Sequence, residues 1–187
     1  MKRLQTLALV IMGTTLVFCS TTHGGEDTVS RVRARLGQGY EQAPTSGEIE
    51  ALGPDVGVAL LEIYRDPASP MLHKMRALDL LGSYPSEDLK TLLDAESART
   101  DLPPALARRV LAVAIRAYGD REPAVAERVW QANAASADAT VRYDAAQSLI
   151  KLRPSAALIA TARQRATSEI DATVRAELDK ALAAVPR

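Results

Sequence analysis

Imidazole and thiolate are the side chains best suited to holding a transition metal or activating a nucleophile, and this chain has three of them: His23, His73 and Cys19. A metal site needs several such ligands at helical or turn spacing, and His73 has no second imidazole to join it, so a solvated position at a helix start is expected for it. A Ser/His/Asp arrangement would have to rest on that same histidine, and no nucleophile-elbow motif accompanies it. Neither standard phosphate-binding glycine loop is present; Gly37-Gln38-Gly39 is too short and reads as a flexible loop. The carboxylate pairs Glu48 with Glu50 and Glu87 with Asp88 stand at expected helix starts, where the helix dipole accounts for them. A catalytic dyad would also need burial to move one pKa. No catalytic, metal-binding or cofactor-binding residue is assigned, and the chain is not expected to be an enzyme.

Cys19 belongs to a different chemistry. Lys2 and Arg3 open the chain, a mainly apolar stretch runs from Leu4 to Phe18, and no acid occurs in residues 1 to 25. This is the charged and apolar layout of a bacterial-type secretory signal, and at about 15 residues it falls short of the roughly 20 a membrane span needs. Export with cleavage is the expectation, placing the mature protein in the periplasm. The alternatives are an uncleaved anchor and acylation of Cys19, although Phe18 stands where a lipobox has a small residue. No cysteine follows Cys19, so disulfides and thiolate sites cannot staple the fold.

Charge narrows the partners further. The 23 basic and 23 acidic residues cancel, and removal of Lys2 and Arg3 leaves a slightly acidic remainder. Such a surface has no general affinity for phosphate backbones or anionic lipid, so nucleic acid is not expected, nor is a membrane except through the N-terminal segment or a lipidated Cys19.

Any partner-binding residue must then be positioned by the fold. Hydrophobic residues make up 47% of the chain and aromatics only 4%. An interior of Ala, Leu, Val and Ile at close spacing suits packed helices, and no stretch alternates cleanly at period two. The strongest signal is repetition: Asp138-Ala139-Thr140-Val141-Arg142 recurs verbatim as Asp171-Ala172-Thr173-Val174-Arg175. The following apolar positions agree as well, Ala145, Leu149 and Leu152 matching Leu178, Leu182 and Val185. Stepping back by about 34 residues at a time gives Arg108 with Leu111, Ile115 and Tyr118, then Lys74 with Ala77, Leu81 and Tyr84. Each set is the stripe of a helix that buries one face.

A first helix is predicted before each of these, over about 54 to 65, 86 to 97, 123 to 135 and 154 to 167. Pro54, Pro123 and Pro154 stand near three of the starts, and Ser86 with Glu87 and Asp88 caps the fourth. Proline-bearing turns separate the two helices of a pair in the first two repeats, and Gly82 and Gly119 fall where a left-handed C-terminal residue is often needed. One such pair cannot bury its apolar face alone, so neighbours must stack. The division is a secretory segment at 1 to 25, a cap or linker with one short helix at 26 to 53, and a repeat domain at 54 to 187.

The motif Asp-Ala-Thr-Val-Arg, followed by Ala145, Leu149 and Leu152, resembles the second-helix signature of HEAT-like repeats. The resemblance covers about residues 54 to 186; it is strong in the last two repeats and degenerate in the first two, where Lys74 replaces the arginine. Tetratricopeptide repeats share the period, but their aromatic, Gly and Pro positions are not reproduced. The HEAT-like resemblance implies an all-α solenoid of about four antiparallel helix pairs. It also implies that Asp138, Arg142, Asp171 and Arg175 form a ladder of charge-assisted hydrogen bonds between repeats; the alternative is that each acid merely caps its own turn.

In HEAT-like solenoids the second helices line the concave side, which by resemblance places partner binding there. The positions off the buried stripe include Met75, Arg109, Val113, Tyr143, Gln147 and Lys180, with Arg116 and Lys151 a turn further on. Tyr and Arg offer large contact area with a polar handle. Trp130, on a first helix, reads as a core residue, with a partner anchor as the alternative. The expected function is an exported scaffold or adaptor holding a protein or peptide. Two alternatives stand beside it: a HEAT-like lyase or hydrolase with chemistry in the groove, and a structural subunit of an envelope complex.

Overall fold

The structure, a computed structural model, describes residues 23–39 and 43–185. The expected secretory segment, Cys19 included, lies outside the described residues except where the first helix begins at His23. Among the described residues the chain is all-helical, with no strand. The helices are α1 (His23–Gly37), α2 (Ser46–Glu50), α3 (Val56–Arg65), α4 (Met71–Leu81), α5 (Glu87–Ser97), α6 (Pro104–Tyr118), α7 (Pro123–Ala134), α8 (Ala139–Ser148), α9 (Ala156–Ser168) and α10 (Ala172–Ala184), and a 3-10 turn (Leu149–Lys151) follows α8.

Local chemistry explains most boundaries. Ser86, Asp138, Ser155 and Asp171 each accept a backbone N–H of the first turn of α5, α8, α9 and α10. Thr45 and Glu48 form a reciprocal capping box at α2. Pro123 occupies the first position of α7, where its missing N–H is harmless. Pro54 and Pro154 instead stand outside their helices, with Asp55 and Ser155 as the N-cap residues, so α3 and α9 start two residues later than their sequence suggests.

Helices two apart in the chain touch in order: α4 meets α6, α6 meets α8, and α8 meets α10, while α5 meets α7 and α7 meets α9. Within pairs, α3 lies on α4, α5 on α6, α7 on α8 and α9 on α10. The predicted stripes are at these contacts, with Ala77, Leu81, Leu111, Tyr118, Ala145, Leu149 and Leu178 all buried. Each buried Leu or Val is worth about 1.5–3 kcal/mol relative to exposure, and no disulfide supplements them among the described residues.

Three expectations are corrected. The middle helix α6 is flanked by α4, α5, α7 and α8, so it buries more than one stripe; Val113, expected to be exposed, is fully enclosed. Gly82 and Gly119 are right-handed, with φ of −58° and −52°. At Gly82 the requirement is room, since a Cβ there would come within 2.9 Å of the Arg116 side chain. The N-terminal segment carries a 15-residue helix, α1, and a second helix of five residues, α2, where one short helix is expected. Val32 and Leu36 of α1 are buried against the core, and α1 packs on α3 and α4.

A buried arginine fastens its end. Arg76 of α4 donates to the carbonyls of Leu36 at 2.5 Å, Gln38 at 3.1 Å and Gly39 at 2.6 Å. Gly39 takes a φ of 61°, a turn that glycine makes without steric cost just beyond a helix C-terminus. The guanidinium thus sits at the negative end of the α1 dipole and satisfies carbonyls that the helix leaves open.

Trp130 of α7 is fully enclosed, and its Nε1 donates to the Ala145 carbonyl at 2.7 Å. The Ser148 hydroxyl donates to the same carbonyl at 2.8 Å. Here α8 tightens into its 3-10 turn, with Leu149 N–H bonding to Ala146. Side chains therefore satisfy a carbonyl that the changed helix ladder leaves free.

Candidate functional site

A continuous hollow on the exposed side of the second helices runs across α6, α8 and the start of α10. It comprises two adjoining cavities that share Arg108 and Asp144. The first, about 450 Å³, is lined by Ala112 and Ile115, over the buried Leu111, with Arg116, Gln147 and Lys151 beside them. The second, about 400 Å³, lies against Tyr143 and reaches Thr140, Asp171, Thr173 and Val174.

Of the residues expected to meet a partner, Arg116, Tyr143, Gln147 and Lys151 are brought together on this trough. Tyr143 is half-buried, and its hydroxyl receives the Gln147 amide at 3.1 Å, one helical turn on. The others go elsewhere. Met75 is partly covered by the core, Val113 is inside it, and Lys180 pairs with Glu177 on α10 at 3.2 Å. Arg109 turns toward α4 and pairs with Asp79.

Sequence reasoning missed Arg108 as a surface residue by treating it as a position of the repeat pattern. Successive residues on a helix point about 100° apart, so the adjacent arginines serve opposite neighbours. Arg108 pairs with Asp144 of α8, and Arg109 pairs with Asp79 of α4. Arg116 extends over Gly82 and donates to the Asp79 carbonyl at 2.9 Å. Among the described residues neither Arg116 nor Lys151 has a carboxylate partner.

The turn ends of the helix pairs are organised differently, and the ladder that the resemblance implied is not what links them. Asp138 is committed to its own helix, accepting from Thr140 N at 2.7 Å and Val141 N at 3.2 Å, and Asp171 does the same with Thr173 N at 2.9 Å and Val174 N at 3.1 Å. The Thr140 hydroxyl and then the Val141 amide hold the Asp138 carboxyl below the usual range. Arg142 reaches past Asp171 to Glu169, donating through Nε and Nη2 at 2.9 Å each, while its Nη1 holds the Ser136 and Ala137 carbonyls.

Hydrogen bonds from Arg142 lower the Glu169 pKa, and the Asp171 N–H adds to the effect. A short aspartate that caps its own helix cannot also span to the next pair, whereas the glutamate two residues earlier can. Position 136 is Glu169's counterpart one period earlier; its Ser136 hydroxyl caps the Asp138 N–H but is too short to bridge. Arg175 is exposed, with no ion pair among the described residues. At the other end of the chain Arg33 joins α1 to Asp66 at 2.9 Å in the turn between α3 and α4.

A third hollow of about 370 Å³ lies between the turns following α5 and α7, lined by Glu96, Arg99, Leu102 and Asn133 among others. Arg99 holds Glu96 at 3.0 Å. Burial, and then the charge of Glu96, pushes the Tyr64 hydroxyl pKa up, so Tyr64 remains a neutral phenol. His73, expected in solvent, is half-buried against Gly37, and its Nδ1 has no hydrogen-bond partner. Close packing of α1 on α4 covers it. Among the described residues no group of three or more His, Cys, Asp or Glu is placed to hold a metal, and no helix is long and apolar enough to cross a membrane.

The carboxylates at helix starts hold local structure. Glu48 closes the α2 capping box, with Thr45 holding its pKa down, and Glu87 pairs with Lys90 at 2.7 Å. Compared with known protein families, with curated proteins and with solved structures, the chain matches none.

Proposed function

We propose that this chain is an exported, non-enzymatic scaffold: a HEAT-like solenoid of about four antiparallel helix pairs that holds another protein or a peptide along its second helices. The observation that carries the reading is the trough across α6, α8 and α10. It combines an apolar lining at Ala112 and Ile115 with a half-buried tyrosine and a rim of long polar side chains. Contacts of this composition suit macromolecular recognition, in which a few aromatic and arginine anchors supply most of the affinity.

The stacking order of the helices supports the solenoid part of the proposal, as does the exact recurrence of Asp-Ala-Thr-Val-Arg at equivalent helix starts. The charged and apolar layout of the first 25 residues supports export. Trp130 favours a scaffold over an enzyme of the groove type, because its ring is enclosed and its N–H is already engaged by a backbone carbonyl.

Site-specific photo-crosslinking tests this. With a photoreactive residue at Gln147, envelope preparations should yield discrete adducts. The same residue at Arg163, exposed on α9, should yield none of them. Equal capture from both positions would remove the assignment of the binding face. Intact-mass measurement of the fractionated protein tests export, with loss of the N-terminal segment as the expected result.

A further inference from the structure

We propose that the trough between α6 and α8 takes an acidic polypeptide segment, whose carboxylates meet Arg116 and Lys151 while an adjacent apolar side chain rests on Ala112 and Ile115. This rests on the binding face proposed above and narrows its partner to one chemistry. The charge pattern is the reason. Arg108 and Arg109 each have a carboxylate, from Asp144 and Asp79 respectively. Arg116 is held only by a neutral carbonyl, and Lys151 is exposed and forms no ion pair among the described residues.

Both of these cations line the same cavity, whose one carboxylate, that of Asp144, is already engaged by Arg108. The cavity therefore presents three cations to one acid in a chain whose total charge is zero. Arg116 uses one of its five N–H donors on the Asp79 carbonyl, so the rest of its planar fork is available for a carboxylate. Its position over Gly82 pre-orients it, which lowers the entropy lost on binding.

A polyphosphate chain is a poorer match than a peptide. The adjoining cavity is bordered by Asp144 and Asp171, which would oppose an anion repeated at every unit but not a segment with carboxylates at one end only. The apolar lining beside the cations supplies the second feature, a place for Leu, Ile or Val next to the acid.

A random dodecapeptide library selected on the full chain tests the inference. Enriched sequences should carry Asp or Glu beside an aliphatic residue. A fluorescein-labelled member should bind less tightly as salt rises and lose roughly tenfold in affinity for Lys151→Glu and for Arg116→Glu. The Lys151 side chain makes no hydrogen bond or ion pair among the described residues, so its substitution should leave the circular dichroism melting curve of the native chain unchanged. Undiminished binding to Lys151→Glu would overturn the proposal. So would competition by oligo(dT) as effective as by the unlabelled peptide, because phosphate would then be the recognised group. Enrichment without acidic bias, yet weakened by Tyr143→Ala, would overturn the acidic partner and leave the binding face standing. No enrichment over the bare support would overturn both.

Discussion

At the turn before α10, Glu169 has 6% of its side chain exposed and is held by the Arg142 fork and by the Asp171 N–H. On the face of the second helices, Lys151 is exposed with no ion pair among the described residues, and Arg116 holds only a backbone carbonyl. Both regions contain long charged side chains at the junction of neighbouring helix pairs. Where each donor meets an acceptor that the fold itself supplies, the charge holds structure. Where it does not, the charge is available to something outside the chain.

The largest effect should come from breaking the closed region. Arg142→Ala leaves Glu169 covered and unpaired and strips the Ser136 and Ala137 carbonyls of their donor, a loss of about 3–5 kcal/mol by analogy with other broken buried pairs. Urea denaturation should show it as a lower midpoint with an unchanged slope. A cost below about 1 kcal/mol would mean that the turn end is no more committed than an exposed ion pair.

Glu169→Gln should be milder, at about 1.5–3 kcal/mol, because one amide oxygen can still accept from the guanidinium. It should also change the response to acid. Arg142 holds the folded Glu169 pKa below its usual value, so the pair stabilises the fold above the pKa of an unfolded glutamate, about 4.3. That contribution fades as pH falls through the lowered folded value. Melting temperatures of the native chain and Glu169→Gln should therefore converge as pH drops toward 3; parallel curves would break the comparison.

Asp138→Ala and Asp171→Ala should each cost about 1 kcal/mol, the worth of an N-cap. If the two acids formed a ladder with the arginines, their double variant would cost measurably less than the separate losses combined; additive costs are expected for independent caps. The smallest effect belongs to the open region. Lys151→Ala should lie within about 0.5 kcal/mol of the native stability, and a larger loss would show that this lysine has a structural partner after all.

Helix positions were readable from the chain because the information is local. Ser86, Asp138 and Asp171 cap the helices that immediately follow them, and the apolar residues at +3 and +7 mark a face whatever later covers it. The candidate surface was half readable. Arg116, Tyr143, Gln147 and Lys151 were found from helical phase, while Val113 was misplaced because α6 is enclosed by four neighbours. Glu169 was overlooked because the repeat directs attention to Asp171, and Arg76 because nothing in its own helix signals the carbonyls of α1.

The sequence by itself determined an all-helical chain and the starts of its helices, since caps, prolines and apolar phase act within a few residues. Only the tertiary structure decided which arginine meets which acid: Arg108 turns to Asp144, Arg109 to Asp79 and Arg142 to Glu169. A side chain on a helix surface can reach either flanking neighbour. The choice depends on how neighbouring helices cross and how close their backbones lie, quantities set by packing across about 30 residues of chain.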